Sequence, residues 1–263
     1  MVLAVISGTG MYDLAPFKGA EQQVIATPWG EAVVYEGCLG GEACYFLPRH
    51  GREHRLPPHL INYRANAAAL AYLGVRAAFS VCCVGGIREE WAPGTMAVLD
   101  QFIDMTSGRE SSFSAAGAVV HTDMSAPYCP VASAALLRAA KRLQLPVEEK
   151  ACYICTQGPR FETPAEIRAF SNWGADVVGM TGVPEAPLLR EAGICLTSLA
   201  VIANYAAGVK SGLVAEDIDG VMAEAQADIE RLLPVWAYEL PPDNCSCRKA
   251  LAKPLQNWLN KTN

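Results

Sequence analysis

Ala77-Ala78-Phe79-Ser80-Val81-Cys82-Cys83-Val84-Gly85-Gly86 is the stretch on which the fold turns. Residues 77–84 form an unbroken run of apolar and small side chains that ends in a glycine pair. A run of that length, bounded by a turn signal, reads as a strand buried on both faces, which is the signature of a parallel or mixed sheet covered by helices. Upstream, residues 58–73 carry Leu60, Ala67, Ala68, Leu70 and Ala71 at helical spacing, and Gly74 closes that helix. Further back lie a buried strand over residues 2–6 and a hairpin of residues 33–36 and 43–47 turning at Gly40-Gly41.

Downstream the alternation continues. Residues 131–143 read as a helix and 151–156 as a strand. Thr163-Pro164-Ala165-Glu166 is a capping box with proline at the first helical position, so a helix starts there. Residues 177–180 and 194–203 read as strands, 184–192 as a helix, and 214–233 as a long final helix. Buried strands alternating with helices define an α/β domain with a parallel or mixed central sheet. Pro241-Pro242 ends that domain, so residues 1–240 form one unit. Residues 241–263 form a basic extension carrying Arg248, Lys249, Lys253 and Lys261, either a short helix on the body or a loosely held tail.

Composition narrows the function. The chain has 263 residues, 51% hydrophobic and 18% charged, which excludes disorder for its bulk. No apolar run reaches the ~18–20 residues of a membrane span, and the N-terminus shows no basic region of a secretory signal. A net charge of −6 without a basic stripe argues against nucleic acid. Of ten cysteines, Cys44, Cys82, Cys83 and Cys195 fall inside apolar strands, as expected of reduced, buried thiols in a cytoplasmic protein. Cys152 and Cys155 have C-x-x-C spacing, but their segment alternates as a strand, which sends the two side chains to opposite faces.

In α/β folds, ligands bind beyond the carboxyl ends of strands. Ser7-Gly8-Thr9-Gly10 offers amides and hydroxyls that could cradle a phosphate, or an ordinary tight turn. Arg49 and His50 follow a strand and could hold an oxyanion, and Gly85-Gly86 lets the backbone approach a ligand. His50 to His54 matches H-x-x-E-H, a zinc-peptidase pattern that works only on a helix. Gly51 inside it and Pro57-Pro58 after it favour a loop, so no metal is expected there. Phe161 is placed to stack on a planar ring, Glu162 lies at a helix N-terminus, and Asn204 ends a strand with an amide that both donates and accepts.

Ser7-Gly8-Thr9-Gly10, Arg49-His50-Gly51 with His54, Val84-Gly85-Gly86-Ile87, Asp100-Gln101-Phe102-Ile103-Asp104, Gly158-Pro159-Arg160-Phe161-Glu162, Trp173-Gly174-Ala175-Asp176 and Gly179 to Glu185 together resemble the trimeric purine nucleoside phosphorylases and their 5′-methylthioadenosine phosphorylase branch. The resemblance implies a single-domain αβα sandwich with a mixed sheet, assembled as a homotrimer. The implied reaction is phosphorolysis of a purine nucleoside, with inorganic phosphate as co-substrate and no metal or organic cofactor. By position, Thr9, Arg49, His50, Thr181 and the amide of Cys83 would bind phosphate. Met180 would lie along the ribose and Phe161 on the purine. Glu162, Asn204 and His50 would carry the chemistry, and His121 of a neighbouring subunit would cover the 5′ end. The family often has threonine or asparagine where this chain has Cys82, and a thiol is a weak donor.

The methylthioadenosine enzymes resemble one another in an Asp-x-Asp pair that accepts from a 6-amino group. This chain has Asn204-Tyr205-Ala206 there. Glu162 is suited instead to the N1–H of a 6-oxopurine, and Asn204 to O6 and N7. No histidine follows His121, and the segment from Leu213-Val214 to Val221-Met222 offers apolar side chains, which suits a 5′-methylthio group. The combined expectation is 5′-methylthioinosine, with 5′-methylthioadenosine and inosine or guanosine as alternatives.

Overall fold

Strand β5 (Ala77–Gly86) has more hydrogen-bonded neighbours than a strand has edges. The computed structural model describes residues 1–51, 53–210, 217–241 and 245–262. Before β5 come β1 (Leu3–Ser7), β2 (Gln22–Thr27), β3 (Gly30–Leu39), β4 (Glu42–Pro48) and helix α1 (Tyr63–Tyr72). After it come β6 (Met96–Met105), α2 (Pro130–Leu143), β7 (Val147–Thr156), α3 (Pro164–Asn172), β8 (Val177–Gly179), α4 (Gly182–Glu191), β9 (Cys195–Tyr205), α5 (Ile218–Glu239) and α6 (Lys253–Thr262). The first half of β5 pairs parallel with β1. Its last two residues pair antiparallel with β8, and β9 runs parallel along its whole length. The sheet order is β2-β3-β4-β1-β5-β8-β7-β6-β9, and the β5–β9 pairing closes the last five strands into a ring.

The sheet is mixed and covered on both faces, as the alternation of buried strands and helices implies. Ala4 and Ile6 of β1 join one core cluster while Leu3 and Val5 join the other, as the period of two requires. α1, α4 and α6 supply Leu70, Leu188 and Leu255 to the first cluster. α2 and α5 supply Leu136, Ile229 and Trp236 to the second. None of the helices searched among the described residues is long and apolar enough to cross a membrane.

Several sequence boundaries shift. The helix expected over residues 58–73 splits into a 3-10 turn, Pro58–Leu60, and α1. Asn62 caps α1 by accepting from the Ala65 amide at 3.0 Å, and so sets the start. α4 starts at Gly182 and kinks at Val183 and Pro184. The final helix runs Ile218–Glu239, and the part of the expected helix over residues 214–216 lies outside the described residues. β2 and β6 are not read from the sequence: β2 alternates and is half-exposed, and only the first four residues of β6, Met96 to Leu99, form a buried apolar run. In the extension, α6 docks through Leu255 and through Trp258, whose ring lies 5.9 Å from Trp29 and 5.6 Å from Tyr72.

Candidate active site

β1, β4, β5 and β9 are linked by parallel pairings, so their carboxyl ends lie together. A cavity of about 270 Å³ opens there, lined by Thr9 after β1, Arg49 and His50 after β4, and Cys83 and Gly85 of β5. β8 and the residues after it add Gly179, Met180 and Thr181. The turn before α3 adds Pro159, Phe161 and Glu162, and β9 adds Asn204. Every site residue expected from sequence lines this one cavity except His121, which is exposed in the loop between β6 and α2.

Arg49 is 2% exposed. Its Nε donates to Glu185 Oε2 at 2.7 Å and its Nη2 to Glu185 Oε1 at 2.9 Å, with Ser80 Oγ a further acceptor for Nη2 at 2.8 Å. Ser80 in turn donates to Glu185 Oε1. Nη1 has a weaker partner, the Val81 carbonyl at 3.3 Å, and sits 3.1 Å from where a Cβ on Gly8 would stand. The guanidinium fork is therefore spent on Glu185, and Nη1 is the edge left for an anion. Glycine at position 8 keeps that edge open.

His50 is 4% exposed and its Nδ1 contacts the Leu56 carbonyl at 2.8 Å. A carbonyl only accepts, so Nδ1 carries the proton and Nε2 presents a lone pair. Burial pushes the imidazole down to about 4, partly opposed by the Leu56 bond and reinforced by Arg49. At neutral pH the ring is uncharged. His54 stacks on it at 4.6 Å between centroids, and its own Nδ1 is hydrogen-bonded by the Tyr12 hydroxyl.

Cys82 and Cys83 part company because they alternate across β5. Cys83 lines the cavity, and burial raises its thiol to about 12. Cys82 belongs to the core and lies 3.6 Å from Ser198 Oγ, so its side chain does not reach the phosphate side. The expectation that both thiols sit at that site is corrected accordingly. Cys155 is likewise core, whereas Cys152 is half-buried.

Glu162 accepts from Thr156 Oγ1 at 2.6 Å through Oε1. Just beyond it, Thr163 caps α3 with a capping box to Glu166, which fixes the turn that carries Phe161. Phe161 is 47% exposed at the cavity mouth. Asn204 is buried and donates one N–H to the Tyr205 carbonyl at 2.8 Å, leaving its Oδ1 and second N–H. The segment after β8 is set by Tyr153, whose hydroxyl accepts from the amides of Thr181 and Gly182 at 3.1 and 3.2 Å. A Cβ at Gly179 would stand 2.6 Å from that hydroxyl, so the close approach requires glycine.

Sequence reasoning assigned no role to two residues that hold this site. Glu185 lies inside a quoted motif, and its partnership with Arg49 spans 136 residues. Arg109, in the loop after β6, donates to the carbonyls of Met180, Val183 and Gln157 at 2.7 to 2.8 Å, so one side chain ties the segments carrying Met180 and Glu162. In the H-x-x-E-H segment, His50, Gly51, Glu53 and His54 lie in turns, with His54 at φ 52°, and not on a helix face as the zinc-peptidase geometry requires.

The strand-end cavity on a ring-closed mixed sheet defines a nucleoside phosphorylase fold. The profile of the phosphorylase superfamily matches residues 2–236, and the chain belongs to that family. It is an enzyme of nucleoside phosphorylase type, a pentosyltransferase. It is 39% identical over 256 residues to the S-methyl-5′-thioadenosine phosphorylase of Thermofilum pendens, covering 96% of this chain and 98% of that one. It is 40% identical over 258 residues to the 6-oxopurine nucleoside phosphorylase of Pyrococcus furiosus, covering 95% and 97%. Among solved structures, the methylthioadenosine phosphorylase of Schistosoma mansoni in complex with adenine superposes with a TM-score of 0.85 at 31% identity, over 90% and 91% of the two chains.

Proposed function

We propose that the chain cleaves 5′-methylthioinosine with phosphate to give hypoxanthine and 5-methylthioribose 1-phosphate. Relatives of both substrate names stand at nearly the same identity, 39% and 40%, so the choice rests on side chains in the cavity. The observation that carries it is the base end: Glu162, Asn204 and Ala206 line the same cavity, and no aspartate stands at 204 or 206. Glu162 accepts the N1–H of a 6-oxopurine, which neutral adenine lacks. The free N–H of Asn204 donates to the base as negative charge develops on it. Such paired groups reject the wrong base by ~10⁴ or more.

The chemistry follows from charge. The C1′–N9 bond breaks, its electrons pass to the purine, and a phosphate oxygen forms the new bond to C1′. Arg49 Nη1, Thr9, Thr181 and the Cys83 amide donate to phosphate beneath the sugar. Neutral His50 accepts the phosphate O–H through Nε2, which turns the unprotonated oxygens toward C1′. Preorganised donors of this kind stabilise the charge where it develops. At the sugar, Met180 and Ile218 give apolar contact for the methylthio group. His121 closes the 5′ end of a neighbouring subunit's site in a homotrimer.

The test is phosphate-dependent release of hypoxanthine from methylthioinosine, beside inosine. A higher kcat/KM for methylthioinosine supports the apolar 5′ subsite, and equal values refute it.

A further inference from the structure

At the other end of β9, four cysteines converge. Cys195 opens that strand, Cys129 is the residue before α2, and Cys245 and Cys247 belong to the C-terminal extension. All four sulfurs lie within 4.8 Å of one another. Cys245 Sγ is 3.5 Å from Cys129 Sγ and 3.2 Å from Cys195 Sγ, so it is shared between two neighbours rather than paired with one. A tetrahedral tetrathiolate zinc site, with Zn–S of ~2.3 Å, has sulfurs ~3.8 Å apart, and the cluster brackets that spacing.

The surroundings fit thiolates. The Cys247 amide donates to Cys245 Sγ at 3.2 Å, a bond made within the C-x-C pair itself. Arg190 Nη1 stands 3.0 Å from Cys247 Sγ. Its Nε is buried and has no hydrogen-bond partner among the described residues. Arg76 and Arg248 line a small cavity together with Cys129, Cys195 and Cys245. A zinc ion with four thiolates carries two net negative charges, and these cations are placed to offset them. Cys129 and Cys247 are buried, and Cys195 and Cys245 are half-buried.

We propose that Cys129, Cys195, Cys245 and Cys247 bind one zinc ion, which fastens the C-terminal extension to the body of the enzyme. The four ligands come from the residue before α2, from β9 and from the extension, so the metal joins segments far apart in the chain, Cys129 and Cys245 being separated by 116 residues. Beyond the cluster, the Ala252 amide donates to the Glu191 carbonyl and α6 docks on the body, so the metal sits at the root of a packed arm. The nine-residue rise from Cys195 to Asn204 puts it roughly 30 Å from the base-binding end. The ion is structural, with all four positions taken by protein and none open for substrate.

Metal content of the full-length enzyme, reduced and incubated with Zn²⁺ and then desalted, tests this. The expected result is about one zinc per chain. Cobalt in its place should give the intense visible bands of a tetrahedral tetrathiolate site. The double variant Cys245→Ser, Cys247→Ser should bind no zinc, retain kcat, lose more than about 5 °C in Tm, and become open to trypsin at Arg248 and Lys249. If that variant does not fold, zinc content and the cobalt spectrum of the unsubstituted enzyme decide alone. Absence of bound zinc under these reducing conditions, or cobalt in an octahedral oxygen environment, overturns the proposal.

Discussion

Arg49 and Glu185 meet across the molecule as a buried bidentate pair, Nε to Oε2 at 2.7 Å and Nη2 to Oε1 at 2.9 Å. The pair neutralises a buried guanidinium at the cavity and leaves its Nη1 for the proposed phosphate. Glu185→Gln should therefore act as a positioning variant. Breaking one side of a buried pair costs about 3–5 kcal/mol, and a loosened Arg49 should raise the KM for phosphate by roughly tenfold or more while the KM for nucleoside changes little. Denaturant melts and phosphate saturation kinetics check both. A stable variant with unchanged phosphate KM would contradict this role.

His50 makes stability depend on acid. Its folded value is about 4, below the 6.5 of a free imidazole. Above pH 6.5 neither state is protonated and the residue contributes nothing to the slope. As pH falls from 6.5 toward 4, the unfolded chain takes up the proton that the folded chain refuses, so stability is lost over that window. Between pH 7 and 5 the loss should be about 2 kcal/mol greater than in His50→Asn. Parallel urea melts at the two pH values measure the difference, and parallel slopes would refute the neutral imidazole.

Arg109 meets its carbonyl partners through two nitrogens, and a lysine ammonium cannot span them. Arg109→Lys should lower kcat/KM by about 10-fold to 100-fold and destabilise by about 2 kcal/mol, because the segments bearing Met180 and Glu162 lose a common anchor. A matched fall in activity and melting temperature is the expected reading. Wild-type kinetics would show that the anchor is dispensable.

Cys83 lines the cavity where phosphate is proposed to bind, and burial raises its thiol to about 12. At pH 7 its thiolate fraction is only ~10⁻⁵, so inactivation by iodoacetamide through this residue should be slow. The rate should rise about tenfold per pH unit up to pH 9 and be suppressed by phosphate. Cys83→Ser should remove the pH-dependent phase. Rapid inactivation at pH 7 that vanishes in that variant would contradict the raised value.

The legible parts of the sequence were those where local pattern and tertiary role coincide. The apolar run ending in Gly85-Gly86 is β5, the strand that links both parts of the sheet. The polar residues after the strands do line one cavity, because parallel pairing brings strand ends together whatever their distance in sequence. What stayed hidden depends on long-range partners. Nothing local marks Glu185 as the companion of Arg49, or Arg109 as the anchor of three loop carbonyls. The four-cysteine cluster gave one local signal, the Cys245-Ser246-Cys247 spacing in a basic tail. Cys195 reads as an ordinary apolar-run thiol and Cys129, between Tyr128 and Pro130, carries no local signal, until the fold brings them to it. β2 escaped because a half-exposed strand makes no apolar run, and β6 because its apolar part is only four residues long.

The account's central claim is that Glu162 and Asn204 read a 6-oxopurine. The most direct measurement is the ratio of kcat/KM for 5′-methylthioinosine to that for 5′-methylthioadenosine, at saturating phosphate. The expected ratio is about 10⁴ or more. A ratio of one or below would contradict it and place the chain with the 6-aminopurine enzymes.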